Sequence, residues 1–452
     1  MSARRRAALV LAGACWLAPG PRTAAGEPTR PLDANGCVQV AVRGSARTEE
    51  AEARVRELQA RLAEVESVYY PKLQATTFVT PMFTVRGNGL TYDVERRYKN
   101  LGDWGPYANL DALLALPVYT FGRAEKGAEA ARQRVEVARA RVREAANAVA
   151  LETRRMYYTH LFAASMLPAL GNASKLLADA VARAEALYDE GTGAVTQVDI
   201  AKLKYGAAEV ARFTFMAEDG AALGLAALKH TMGMSEAAPL QLADKLLPDA
   251  PEVTATPLAA LLQQAAEARP EWAQIAHGQR ATLAWEEAER LANWPVVFVA
   301  GILRAAYTPT RQHDPNPYHY DIYNMVVGGA AVGLRFDLDP ALASARADIA
   351  AATGAQVEAL RRFAATGIPL QVRKAHDDLA RARRTLVTTS DGVTATRKWM
   401  TFAAAAYTSG TGEARDLLEG LASYLSAKRT YFETLQGYYT AEAELGYAVG
   451  RP

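Results

Sequence analysis

The chain has 452 residues, with 51 Lys and Arg against 49 Asp and Glu, 50% of them hydrophobic and 22% charged. That balance excludes a disordered chain and supplies no basic surface for nucleic acid. Beyond the N-terminus no run of about 20 apolar residues occurs, so no membrane-crossing helix is expected; spanning strands of about 10 alternating residues escape such a scan.

Arg4, Arg5 and Arg6 precede an apolar stretch, Ala7 to Ala18, and the small residues Thr23-Ala24-Ala25. This is the pattern of a secretory signal peptide over residues 1–25; the plainer alternative is a buried helix. Leu11-Ala12-Gly13-Ala14-Cys15 loosely resembles a lipobox, which would instead place lipid on Cys15. Cleavage after Ala25 removes Arg4, Arg5, Arg6 and Arg22 and no acid, leaving 47 basic against 49 acidic side chains, net −2. Cys37 is then the remaining cysteine, so no intramolecular disulfide is expected and the fold must rest on packing and assembly.

Residues 26–44 carry prolines, glycines and no period, and read as a loose tail. Residues 45–68 predict a helix, with Val55, Leu58, Leu62 and Val65 on one face. Tyr70-Pro71 ends it. Lys72 to Val85, rich in Thr, Phe and Val, reads as a strand, and Tyr107 to Tyr119 as another. In the second, Leu110, Ala112, Leu114 and Leu116 share one face while Asn109 and Asp111 share the other.

From Ala124 the period changes to heptads: Ala124, Ala128, Ala131, Val135, Ala138, Val142, Ala145 and Val149 are spaced alternately four and three apart. The register continues through Met166, Leu170, Leu177 and Leu187, interrupted at Glu152 and Thr159. Such length argues for helix packed lengthwise on helix, and its alanines for close backbones. At about 1.5 Å per residue the segment from Ala124 to Glu190 reaches roughly 100 Å, with Pro168 bending it rather than ending it. A return helix is expected from Thr196 to Met232.

Prolines 239, 248, 251 and 257 mark a linker over 234–257. Beyond it the order repeats. A helix from Leu258 to Asn293 is interrupted near Arg269-Pro270, strands run from Val296 to Tyr307 and Tyr323 to Phe336, and a second long arm spans Ala341 to Thr408. The last helix, Glu413 to Val449, keeps strict spacing at Leu418, Leu421, Leu425, Lys428, Phe432, Leu435 and Tyr439. The turns duplicate as well: Tyr188, Gly191, Thr192, Gly193 and Tyr205 return 219 positions on as Tyr407, Gly410, Thr411, Gly412 and Tyr424. The chain thus reads as repeat 1 over 45–233 and repeat 2 over 258–452, each with a helix, two strands and a long helical hairpin.

Four strands cannot close a barrel, and an open four-stranded sheet has two edges to hide. Exported chains can pool strands from several copies, because spanning sheet must close on itself to pair every backbone amide. Aromatics gather at the strand ends: Tyr69, Tyr70, Trp104, Tyr107, Tyr119 and Phe121, then Trp294, Tyr307, Tyr323 and Phe336. That suits an interfacial girdle, or alternatively the caps of a soluble sheet.

Several motifs carry a family resemblance. They are Tyr70-Pro71-Lys72-Leu73 entering the first strand, Leu116-Pro117-Val118-Tyr119 with Gly122-Arg123 leaving the second, Arg269-Pro270-Glu271-Trp272, and the two tyrosine-glycine turns. In order and spacing the chain resembles the TolC-like outer-membrane efflux proteins from about residue 45 onward. The resemblance implies a mainly α fold with a small transmembrane β part. Four strands per protomer would enter a trimeric β-barrel in the outer membrane, continuous with a long α-helical barrel across the periplasm. It also implies a passive exit duct for a tripartite efflux or type I secretion system, with a periplasmic adaptor (membrane fusion protein) and an inner-membrane pump as partners. Arg335-Phe336-Asp337-Leu338-Asp339-Pro340 departs from the expected exit of the fourth strand.

Carried over residue by residue, the resemblance makes Tyr407, Asp416 and Glu419 candidates for the channel aperture, and Gly191, Gly193, Gly410 and Gly412 candidates for tip turns on which an adaptor hairpin docks. The family's arginine near this tyrosine falls on Gly412. Asp416 and Glu419, three apart, share a helix face, and three copies would ring six carboxylates about one axis, favouring cations. The plain alternatives are first-turn acids that suit a helix dipole and glycines that tight turns need. No catalytic residue, cofactor or metal is expected: Gly191-Thr192-Gly193 lacks the rest of a phosphate loop, and His313 and His319 with Asp314 and Asp321 have no specific ligand spacing. The alternatives to a duct are a periplasmic adaptor, which would show one hairpin and several small β-domains, and a coiled-coil scaffold without a pore, which leaves the alternating strands unexplained.

Overall fold

The computed structural model describes residues 31–84, 100–191, 195–251, 256–310, 318 and 321–451. Chain order is α1 (Ala34–Gly44), α2 (Ala46–Glu66), β1 (Lys72–Thr84), β2 (Asn100–Tyr119), α3 (Arg123–Asp189) and α4 (Gln197–Thr231). Then come α5 (Leu258–Ala268), α6 (Pro270–Arg290), β3 (Val296–Tyr307), β4 (Met325–Arg335), α7 (Pro340–Ser409) and α8 (Ala414–Ala448). The four strands form one antiparallel sheet in the order β1-β2-β3-β4, so the two repeats meet where β2 pairs with β3.

The helices are set by punctuation as much as by period. Thr196 and Asp199 form a reciprocal capping box at the start of α4. Asp339 accepts from the Leu342 amide at 3.0 Å and Pro340 occupies the first turn of α7. The departure noted at Arg335–Pro340 is therefore a capped helix start, whereas α3 is entered through left-handed backbone at Phe121 (φ 52°) and Gly122 (φ 91°). Arg269 interrupts the second-repeat helix as expected, and Pro270 opens α6. Arg269 is buried there. Its guanidinium donates to both Glu271 oxygens at 3.1 and 2.5 Å and to Gln371 of α7 at 2.7 Å, tying α6 to the second arm.

α3 and α7 continue through Pro168 and Pro369 and span 67 and 70 residues, about 100 Å each at 1.5 Å per residue. α4 packs on α3, α3 on α8 and α8 on α7, while α6 lies between α3 and α7 nearer the sheet. The heptad row of α3 is part of its buried surface. Ala140, Ala150, Tyr157 and Leu161, outside that row, are 0% exposed because α3 also meets α1, α2, α6 and α8. One window of α3 is apolar enough to cross a membrane by length and composition. Its alanines meet neighbouring helices instead, which corrects the expectation that no segment would pass that test.

The reading of 26–44 as a loose tail is corrected over its second half. Residues 34–44 are α1, capped by Asp33, whose Oδ1 accepts from the Gly36 amide at 2.7 Å. Cys37 and Ala41 are fully buried, in one cluster with Tyr157, Leu161 and Leu435. Leu32 exchanges backbone bonds with Gln241 and Ala243 at 2.9 and 2.8 Å. The segment 239–250 crosses the same face of the helices: Asp244 accepts from Tyr157 at 2.7 Å, and Ser165 accepts from the Leu247 amide at 2.8 Å. An eleven-residue helix with inward positions at 37, 38 and 41 is too short to display a period, and its contacts come from distant chain.

Candidate functional site: the sheet faces and the helical tip

Register and the two-residue alternation of strands assign every sheet side chain to a face. On one face lie Leu73, Ala75, Thr77 and Val79 of β1, Ala108, Leu110, Ala112, Leu114 and Leu116 of β2, Val297, Val299, Gly301, Leu303 and Ala305 of β3, and Val326, Gly328, Ala330, Val332 and Leu334 of β4. Apart from Thr77 this face is apolar, and among the described residues no element covers it: Val79, Val326 and Val332 are 71%, 77% and 74% exposed. The opposite face is mixed: Lys72, Gln74, Thr76, Asn109, Asp111 and Arg304 lie among Phe78, Leu113, Phe298, Ile302 and Val327. There Arg304 donates from Nε to Asp111 at 2.7 Å, and Asn109 donates to the other Asp111 oxygen at 2.6 Å.

Aromatic groups bound the apolar face at both ends. Tyr119, Phe121 and Trp294 meet at the helical end, with ring centroids 4.7 and 5.5 Å apart. At the other end Phe83 meets Trp104 on this face at 6.2 Å, while Phe78 and Tyr323 meet Tyr107 at 6.0 and 5.8 Å, with Phe78 and Tyr107 on the opposite face. On this face Trp104 and Tyr119 are separated by about 50 Å of strand, or about 35 Å across a wall tilted by about 45°, enough to span a hydrocarbon layer and reach its interfaces. The outer strands β1 and β4 leave the sheet with two unpaired edges in the single chain.

At the far end the duplicated turns share their backbone at the first glycine. Gly191 and Gly410 take φ of +67° and +80° and donate to the carbonyls of Tyr188 and Tyr407 at 3.1 and 3.2 Å. Gly193 lies outside the described residues, as do His313, His319 and Asp314. Gly412 is needed for a different reason: a Cβ there would stand 2.8 Å from Ala406 Cβ and 3.0 Å from the Tyr407 nitrogen. Its amide and that of Thr411 both close on the Ala406 carbonyl, at 2.9 and 3.0 Å. Among the described residues no cluster has the makings of a metal site.

The duplicated tyrosines are not equivalent. Tyr188 is 43% exposed, whereas Tyr407 is 9% exposed and donates its hydroxyl to the Ala180 carbonyl of α3 at 3.3 Å. Burial, foremost, holds that hydroxyl's pKa above its ordinary value. Tyr407 packs with Leu177, Ala414 and Leu417; Asp416 and Glu419 are exposed on the other side of α8. The two carboxylates thus share the exposed side of α8, while Tyr407 is buried against α3. The structure adds a residue that the sequence reading passed over. Arg415 Nε donates to Glu419 Oε1 at 2.7 Å, a pair whose four-residue spacing was visible in the sequence.

The exposed row of α8 continues from Asp416 and Glu419 through Ser426, Thr430, Glu433 and Gly437. α1 and residues 239–250 pack over the opposite side, where Tyr439 reaches the carbonyls of Pro248 and Asp249 at 3.2 and 3.0 Å. Beside Glu419 an apolar groove of about 880 Å³ lies between α4 and α8 over α3, bordered by Met166, Tyr205, Phe213 and Leu425.

No protein-family model matches the sequence, and no curated protein matches it. Solved structures do match. The outer-membrane channel OprN is 17% identical, with a TM-score of 0.72 over 93% of this chain and 90% of that one. The Campylobacter jejuni CmeC outer membrane channel is 14% identical at 0.73, over 92% and 85%. The open state of the Neisseria gonorrhoeae MtrE outer membrane channel is 16% identical at 0.67, over 92% and 89%. The chain has the TolC-like fold of these channels, with four strands in one sheet and two long helical arms.

Proposed function

We propose that this protein is the outer-membrane exit duct of a tripartite efflux or type I secretion system. The observation that carries the reading is the sheet: one face apolar and exposed, the charged groups confined to the other, aromatic ends and two unpaired edges. In water such a sheet is an aggregation surface. In a bilayer, head-to-tail pairing of β1 with β4 of a second copy removes the edges and closes a ring. Three copies supply twelve strands, more than the about eight whose interior side chains fill.

The helical flanks support the same ring. α4 and α7 stand at the two sides of the helical wall and carry exposed apolar side chains, such as Phe215 and Leu223 on α4 and Phe363 and Phe402 on α7, each 63% exposed or more. In a head-to-tail ring α4 of one copy faces α7 of the next. The face of α8 opposite α1 and residues 239–250 then borders the duct, with Asp416 and Glu419 at its periplasmic end and Tyr407 fastening the tip from behind. The Gly191 and Gly410 turns and the neighbouring groove suit docking of an adaptor's helical hairpin, and an inner-membrane pump drives transport. The chain catalyses no reaction in this scheme. Two hairpins and a single sheet speak against the adaptor reading.

Membrane fractionation with heat-modifiability and crosslinking tests this. A heat-modifiable outer-membrane trimer is expected; a soluble periplasmic monomer would contradict it.

A further inference from the structure

On the reading that the exposed face of α8 borders the aperture, we propose that Arg415 is a further selectivity-determining residue, whose guanidinium neutralises Glu419 and leaves Asp416 to set the ring's charge. Arg415 and Glu419 are one turn apart on α8, 2.7 Å from Nε to Oε1, with side chains 69% and 50% exposed. Asp416 and Glu413 act on the same guanidinium. Arg415 therefore halves the net charge that Asp416 and Glu419 contribute per copy, and Glu413, at the N-cap of α8, adds a further carboxylate beside it.

Helix stability does not account for an arginine here. Arg415 lies in the first turn of α8, where the helix dipole favours acids and disfavours a cation. An exposed pair spaced four apart is worth only a few tenths of a kcal/mol. In a narrow, shared constriction the same charge is repeated around the axis and acts on every ion that passes. The turn itself has no room for a cation at Gly412, where a Cβ would collide with Ala406. Arg415 is the first base beyond the turn, and α8 has no other before Lys428. Other cations stand nearby: Lys202 of α4 borders the same groove as Glu419 and lies 3.7 Å from its own Asp199, Arg429 of α8 borders it one pair further along with Glu433, and Arg183 of α3 acts on Tyr407.

The experiment is the reversal potential of the purified trimer in planar bilayers under asymmetric KCl, for the native chain, Arg415→Gln, Arg415→Lys, Asp416→Asn and Glu419→Gln. Arg415→Gln is expected to raise the K⁺/Cl⁻ permeability ratio by about twofold or more and to deepen block by divalent cations. Arg415→Lys keeps the charge and the native ratio, while Asp416→Asn and Glu419→Gln lower it. If the two carboxylate variants lower the ratio and Arg415→Gln does not raise it, the role of Arg415 is overturned and the aperture stands. If all variants keep the native ratio, the aperture reading fails and this inference with it. Heat-modifiability of each variant confirms that the trimer has formed.

Discussion

Leu113 and Leu114 are neighbours in β2, almost equally exposed at 44% and 43%, yet they lie on opposite faces of the sheet. Leu113 shares its face with Asp111 and Arg304, and Leu114 shares the other with Leu73 and Gly301. Hydropathy does not distinguish them; register does. If the apolar face meets lipid, Leu114→Arg places a charge in hydrocarbon at a cost of about 2–4 kcal/mol per copy near the midplane. Leu113→Arg places it in an aqueous bore at little cost. The yield of heat-modifiable trimer in outer membranes is expected to collapse for Leu114→Arg and to persist for Leu113→Arg. Equal yields would argue against a lipid-facing side.

The tip glycines should separate by mechanism. Gly410→Ala and Gly191→Ala put a Cβ on left-handed backbone in open space, a cost of about 1 kcal/mol each. Gly412→Ala adds an overlap with Ala406 and the Tyr407 backbone, for which overpacking costs of about 1–3 kcal/mol are typical. Hydrogen exchange across residues 404–414 should therefore speed up most in Gly412→Ala. Equal acceleration in all three would mean that the close approach at Gly412 is unimportant.

Tyr407→Phe deletes the hydroxyl that reaches Ala180 across the two arms, leaving the carbonyl without that bond and loosening the tip by about 1 kcal/mol. Single-channel recordings should show higher mean conductance or more frequent opening. Tyr188→Phe, at the exposed counterpart, should leave both unchanged. Matching behaviour of the two variants would remove Tyr407 from the closure of the tip.

Cys37 gives a pH signature. Burial, then the charge of Asp33, raises its thiol pKa from 9.0 to about 12. A raised acid pKa means that both states are neutral below pH 9, where its contribution to stability is complete. Between about pH 9 and 12 the unfolded thiol ionises and the folded one does not, so that contribution is lost as pH rises. The native chain should lose thermal stability over this window by more than Cys37→Ala does. Parallel curves would contradict the burial of α1.

Long elements were readable because their periods are sustained. β3 was expected at Val296–Tyr307 and is found there, and both arms end within two residues of expectation. β2 begins earlier than the Tyr107 expected, at Asn100, because pairing with β1 past Trp104 extends a segment whose own residues do not alternate cleanly. α1 was illegible because burial of Cys37 and Ala41 is supplied by α3, α8 and residues 239–250, which are remote in sequence. At the tip, sequence spacing placed Asp416 and Glu419 on one face of α8. It could not show that Tyr407 turns toward α3, since that depends on how two helices roll against each other. The pairing of Arg415 with Glu419 four residues on was plain in the spacing, whereas its place beside the two carboxylates on the exposed side of α8 follows only from the burial of Leu417 and Leu421.

The central claim is that the sheet is a lipid-facing wall of a barrel shared between copies. Its most direct test is cysteine scanning of β2 from Asn109 to Leu114, with a water-soluble maleimide applied to native outer membranes; Cys37, fully buried, adds little background. Labelling is predicted at 111 and 113, to be weak at 109, where Asn109 is 8% exposed, and to be absent at 110, 112 and 114. Uniform labelling at all six positions, as on a sheet bathed in water on both sides, would contradict it.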